Sequence, residues 1–335
     1  MDILNIVWFV LITVLFTGFF ILEGFDYGVG MLLIGKNDYE RSMMIRAIGP
    51  VWDGNEVWMI TAGGAMFAAF PHVYATMFST FYLALFLMLL ALILRGVAFE
   101  LRGKHESKDW HLMWDFAIIF GSLVPAILWG VAITNLLQGL PIDSEMHYAG
   151  RFIDLLTPYT IIGGLTFMLI FLFHGATFLM IKLADERMIL ELKKHATCIG
   201  VMAMIMLVLF ITMTAFSTDV TNKIIWLLPF AVAAVFFFRS WYSVRINNYD
   251  LISFIMSTLS IACVTIGMFI GLFPRLMVSS LNPEWSLTIY NAASTPHTLA
   301  IMTGAAVVLV PIVLIYQGWT YKIFKDRITP NDLKH

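Results

Sequence analysis

Long apolar runs broken by short polar stretches make up most of the chain. A helix needs about 20 mostly apolar residues to cross a hydrocarbon core of about 30 Å. Nine runs meet that length, at roughly 5–34, 48–70, 74–99, 112–137, 158–182, 196–216, 223–241, 250–273 and 297–321. Nine helices of about 22 residues consume about 200 residues and leave only short loops. Residues 1–335 are therefore expected to form a single integral-membrane domain. The first run is too long for a signal peptide and carries no small-residue cleavage site, so it reads as a retained helix. The expected fold class is an all-α polytopic membrane protein. Nine helices accommodate two four-helix bundles plus one additional helix, although no repeat at the residue level marks the halves.

Composition narrows the reading further. The chain has 335 residues, 60% of them apolar and 13% charged, with a net charge of −2 and a mean hydropathy of +0.86. Soluble domains are normally about 25% charged, so a cytosolic enzyme, a disordered chain and a nucleic-acid binder are excluded. Cys198 and Cys263 both lie in apolar runs, which argues against a disulfide framework or a thiolate metal site. Basic residues set the orientation. The odd-numbered connections, their adjoining helix ends and the C-terminus hold 17 of the 20 Lys and Arg, including Lys334; only Arg151, Lys223 and Arg275 fall elsewhere. That bias predicts an outside N-terminus and a cytoplasmic C-terminus.

Acidic residues stand where a membrane helix rarely tolerates them. The first span carries Glu23 and Asp26, and the second carries Asp53 and Glu56. Each pair is three residues apart and is expected to share one helix face. Ionised carboxylates inside a membrane normally face a protein interior or a water cavity. Counted from the first basic loop, Asp26 lies about 15 Å deep and Asp53 about 10 Å, so the pairs are expected at comparable heights. Arg95, on the third span, is positioned as a counter-ion. The functional reading is a proton-uptake half-channel from the cytoplasm; the bland one is polar glue between helices. Trp58 flanks the acids and either lines a proton path or packs. Glu100 and Arg102 read as a solvated helix end. Gly24 with Gly28, and Gly64 with Ala68, have the spacing that lets helices approach closely.

Metal ligands are scarce. Most of the eight histidines, His335 among them, fall in loops or at helix ends, and only His174 lies well within a span. Without a facing His pair at one depth, haem ligation by this chain is not expected, and His174 reads as a hydrogen-bonded core histidine. The low-charge stretch from Gly271 to Ser294 reads as a packed surface loop, with a second subunit as one candidate surface for it to pack on.

Several blocks resemble one family. They are Gly24-Phe25-Asp26-Tyr27-Gly28-Val29-Gly30, Trp52-Asp53-Gly54-Asn55-Glu56-Val57-Trp58 continuing through Thr61-Ala62-Gly63-Gly64-Ala65, Arg95-Gly96-Val97-Ala98-Phe99-Glu100, and the Gly271–Ser294 loop. Over essentially its whole length the chain resembles subunit II of the cytochrome bd-type quinol oxidases. The resemblance implies a prokaryotic cytoplasmic-membrane complex that oxidises quinol and reduces dioxygen to water. It implies haems b and haem d in the partner, subunit I, and no metal in this chain. It also implies a part for this subunit in assembly and in a cytoplasmic proton route. By motif position that route carries over to Asp26, Asp53, Trp58 and Arg95, with Glu23 adjoining; some members carry an uncharged Gln at the place of Glu56. Some members bind a structural quinone in this subunit, and the residues here leave that open, as they do a small single-helix subunit. No proton pump is implied.

Two other classes compete. A stand-alone proton-coupled transporter would favour helices broken near mid-membrane and repeated across two halves, whereas these acids crowd into the first two spans. A purely structural scaffold would pair its acids with arginines and do nothing more.

Overall fold

The computed structural model describes residues 2–219, 224–246 and 250–333. Lys223, which opens the seventh predicted span, and Lys334 and His335 lie outside the described residues. Helices account for most of the described residues: α1 (Asp2–Leu32), α2 (Asp38–Ile48), α3 (Trp52–Ala69), α4 (Pro71–Thr80), α5 (Tyr82–Leu101), α6 (Lys108–Gln138), α7 (Pro158–Lys182), α8 (Glu186–Ser217), α9 (Leu227–Ile246), α10 (Asp250–Leu272) and α11 (Pro296–Ile323). Their starts carry local signals. Asn37 closes a capping box with Glu40 at α2, and Asp185 accepts from Arg187 and Met188 N–H at α8. Thr157-Pro158 and Thr295-Pro296 pair a capping hydroxyl with a proline in the first turn of α7 and α11.

Contacts at the helix ends sort the chain into two faces. On one, Arg102 at the end of α5 bonds Asp38 of α2 at 2.7 Å. There too Arg41 reaches Asp115 near the start of α6, Lys36 pairs with Glu191 of α8, and Lys193 meets Asp250 of α10. On the other, Asn5 bonds the Ile289 carbonyl, Trp8 bonds Thr303 of α11, and Ser294 N–H donates to Ala69 at the end of α3. The chain leaves α2 on the basic face and returns there through α5, so α3 must cross. Among the described residues α3 thus runs between the same two faces as the eight longer apolar helices, and α1 starts on the face opposite the C-terminal tail.

Three predicted spans need correction. Eight helices are long and apolar enough to cross a membrane; α3 is not one of them. Its 18 residues span about 27 Å at 1.5 Å each, but Asp53, Asn55 and Glu56 make it too polar for that test. The predicted third span, 74–99, is interrupted at Phe81, with the helical ladder resuming on either side through Phe81 N–H to Met77 and Leu85 N–H to Phe81. Helix α8 also begins ten residues before its predicted span, because a helix can continue into water where apolar composition stops.

Packing is organised around α1, which lies against α3, α6, α7 and α10. Helices α1, α3, α5 and α6 form one bundle and α7 to α10 the other, with α11 resting on α1 and α3. Lipid tails are as apolar as leucine, so helices associate through close fit and polar links rather than through burial from water. At Gly28 an added Cβ would sit 2.0 Å from the Phe171 carbonyl and 2.8 Å from Gly175, so only paired glycines let α1 and α7 meet. Gly64 makes no such approach within the described residues: a Cβ added there would meet nothing within 4 Å. Strands β1 (Arg275–Met277) and β2 (Leu287–Thr288) pair antiparallel in the loop before α11. That loop packs on its own chain, with Leu140 and Val278 bonded at 2.8 Å.

Candidate functional site

Glu23 and Asp26 lie on one face of α1, and both are fully buried. From α5 the Arg95 guanidinium reaches in and donates to Glu23. It passes 3.7 Å from Glu56 of α3 and stacks over the Tyr27 ring at 4.8 Å. Room for it comes from Gly121 of α6, where a Cβ would stand 2.5 Å from that of Arg95. Glu56 is mostly buried, with its side chain 19% exposed. Two carboxyl groups therefore meet one guanidinium, and a third, that of Asp26, is buried beside them on α1.

A hydrogen-bonded chain leads out of this cluster. Asn55 Nδ2 donates to Asp26 Oδ2 at 2.7 Å. Its Oδ1 accepts from the Tyr321 hydroxyl at 2.7 Å and from Gln317 at 3.5 Å. Gln317 Oε1 in turn accepts from the Trp58 indole N–H at 2.8 Å. Tyr321 and Gln317 stand four apart on α11, one turn of one face. The Trp58 ring itself lies on Gly18 of α1, at a spot where a Cβ would be 2.2 Å away. Trp58 thus does both things considered for it: it packs, and it belongs to the polar chain.

Bonding capacity is left over. Glu23 Oε2, Asp26 Oδ1, Tyr27 OH and Arg95 Nε and Nη1 are buried and make no hydrogen bond among the described residues. Such groups are the ones that ordered water links.

Of the residues the sequence pointed to, Glu23, Asp26, Glu56, Arg95 and Trp58 come together and Asp53 does not. Asp53 is exposed, in the first turn of α3, where an acid is also favoured by the helix dipole. It and Glu56 were expected on one face. Three residues leave side chains about 60° apart around a helix, enough for one to turn inward and the other outward. Asp53 starts a stripe of exposed positions, with Val57, Ile60, Gly64 and Phe67, that none of the described residues covers. Asn55, Tyr27, Gln317 and Tyr321 escaped sequence reasoning. Asn55 had a signal, because it sits between two acids at an intramembrane position. Gln317 and Tyr321 had only a faint one, as polar groups in an otherwise apolar helix.

Arg102 also departs from expectation. Rather than a solvated helix end, it is buried, with Nε on Asp115 at 2.6 Å and Nη1 on Ser42 at 3.0 Å. Glu100 is exposed, as expected. His174 is a satisfied core residue: its Nδ1 meets Ser257 at 2.7 Å, its Nε2 meets the Ile21 carbonyl at 3.1 Å, and Phe254 stacks on it. With both ring nitrogens engaged it does not suit an axial haem ligand, and among the described residues no His, Cys, Asp and Glu side chains group to hold a metal ion.

Fold and site together define a multi-pass α-helical membrane protein with a buried carboxyl–guanidinium cluster. The chain belongs to the family described as cytochrome bd terminal oxidase subunit II, which matches residues 4–324. It is 41% identical over 330 residues to cytochrome bd ubiquinol oxidase subunit 2 of Bacillus subtilis (strain 168), covering 97% of each chain. It is 38% identical to cytochrome bd-I ubiquinol oxidase subunit 2 of Escherichia coli (strain K12), covering 99% of this chain and 97% of that one. Its fold is also that of a chain in the structure of bd oxidase from Geobacillus thermodenitrificans. That match has a TM-score of 0.77 at 16% identity and covers 97% of this chain and 99% of the other.

Proposed function

We propose that this chain is the subunit without haem of a bd-type quinol oxidase in the prokaryotic cytoplasmic membrane. In this reading it assembles with the haem-bearing subunit I and carries protons from the cytoplasm toward the site of oxygen reduction. The observation that carries the proposal is the three-to-one ratio of carboxyl groups to guanidinium in a buried site. One cation balances one carboxylate, so the remaining carboxyls are groups that can hold and pass protons. Arg95 fixes Glu23, and Asn55 presents Asp26 to Tyr321, so the acids stay within reach of bridging water.

Reducing dioxygen to water consumes protons as well as electrons, and quinol oxidation releases protons. Taking the first from the cytoplasm and releasing the second outside builds a proton motive force without a pump. The positive-inside bias makes the basic face the cytoplasmic one, the face from which Asp26 is reached. Asp53, on the uncovered side of α3, stands where a partner chain would meet the route. A transporter reading gains no support from the helix geometry, since α1 and α3, which carry the acids, run unbroken past them.

The test uses the chain purified with its partner. Reduced b- and d-type haem bands should be present in the optical spectrum of the complex. Asp26→Asn and Asp53→Asn should each lower quinol oxidase turnover about a hundredfold or more, within the range for lost proton transfer, while haem content stays unchanged. Unchanged turnover would contradict the proton route. A colourless preparation without a haem-bearing partner would overturn the oxidase reading and favour the transporter.

A further inference from the structure

On the basic face the C-terminal tail folds back onto the end of α7. Ile328 N–H donates to the Lys182 carbonyl at 2.7 Å, and Ala184 N–H to the Ile328 carbonyl at 3.0 Å, a bridge between Leu183 and Ile328. The Lys182 ammonium donates to the carbonyl of Phe324 and, at 3.0 Å, to that of Asp326. The backbone is thus tied down on both sides of Lys325 and Arg327.

A cavity of about 580 Å³ opens between this tail, the end of α7 and the start of α10. Lys182, Lys325 and Arg327 line it on the tail side, and Ile181, Leu251 and Ile252 line it on the helix side. Asp250 is the acid in its wall with Lys193 2.9 Å from that carboxylate, and Asp326 acts on Lys182, so four cations stand against two acids and the site stays positive. We propose that this cavity binds the headgroup of an anionic phospholipid, its phosphate held by Lys182, Lys325 and Arg327 and its glycerol and first acyl carbons lying on Ile181, Leu251 and Ile252.

The chemistry of the lining supports that occupant. Basic pockets between membrane helices on the cytoplasmic side favour anionic lipid, and the basic bias of this face puts it in contact with that leaflet. At about 30 Å³ per water the cavity is far larger than one inorganic phosphate needs, and a free ion would leave the apolar wall bare. A zwitterionic lipid would bring its own cation to a site that already has three.

The experiment titrates the detergent-purified, delipidated complex with dioleoyl-phosphatidylglycerol or dioleoyl-phosphatidylcholine and counts bound lipid by native mass spectrometry. The phosphatidylglycerol is expected to bind at least tenfold tighter. In the double variant Lys325→Ala/Arg327→Ala its affinity should fall about 25-fold, near fivefold per cation. The charge-keeping double variant Lys325→Arg/Arg327→Lys should retain it. Size-exclusion profile and thermal unfolding midpoint report that each variant is folded. Equal affinity for the two lipids, or an alanine variant that binds phosphatidylglycerol normally, would overturn the proposal. Displacement of the lipid by millimolar inorganic phosphate would overturn it too, reassigning the site to a soluble anion.

Discussion

Arg95 stands on α5 and Arg102 directly follows its last residue, about two turns further on, and both are buried. Arg102 sits at the basic face with all three nitrogens engaged: Nε on Asp115 at 2.6 Å, Nη1 on Ser42 at 3.0 Å and Nη2 on Asp38 at 2.7 Å. Arg41 adds a second cation to Asp115 at 3.0 Å. Arg95 sits deep in the first bundle and, among the described residues, donates through Nη2 alone and leaves Nε and Nη1 without a bond. A network whose bonding capacity is filled locks elements together, here α2, α5 and α6. A network that holds capacity in reserve, beside carboxyls that outnumber its cation, has room to take up water and protons. His174, bonded at both nitrogens, belongs with Arg102 as a structural group.

Substitutions can break or sharpen that contrast. The largest effect is expected from Arg95→Leu, which leaves Glu23, Asp26 and Glu56 without their cation. Removing one partner of a buried ion pair costs about 3–5 kcal/mol, so the variant should unfold at markedly lower temperature and lose turnover as well. Arg102→Ala should cost about 2–3 kcal/mol, since hydrogen bonds to charged groups are the stronger class. Because Asp115 keeps Arg41, the complex should still assemble and turn over at a normal rate. Thermal unfolding followed alongside oxygen consumption separates the two: the Arg95 variant moves both readouts and the Arg102 variant only the first. Equal loss of turnover in both would dissolve the contrast. The smallest effect is expected from Tyr321→Phe, which removes one bond to Asn55 at a cost of about 0.5–1.5 kcal/mol. If Asn55 orients Asp26, turnover should fall severalfold with haem content unchanged.

The sequence carried most of the architecture and about half of the site. Apolar runs located the crossing helices because the bilayer imposes a length on them, and the basic residues sorted the faces. The acids of α1 stood out because an intramembrane carboxyl is costly wherever it occurs. What could not be read was which helices become neighbours. Gln317 and Tyr321 reach Asn55 from more than 260 residues away along the chain, and no local periodicity encodes that meeting. Asp53 and Glu56 failed as a pair for a different reason, since an inward and an outward position can be separated by a modest rotation about α3. Arg102 was misjudged because its partners, Asp38, Ser42 and Asp115, come from two other helices.

Proton uptake measured directly tests the central claim best. The complex is reconstituted into vesicles with its basic face toward a membrane-impermeant pH indicator, and uptake is followed after oxygen is mixed with the reduced enzyme. The wild-type complex should alkalinise the basic side as oxygen is consumed. In Asp26→Asn that signal and oxygen consumption should slow together, about a hundredfold or more, while reduction of the haems by quinol keeps its rate. Proton uptake at the wild-type rate in a folded Asp26→Asn complex would contradict the account and leave the buried cluster as polar glue.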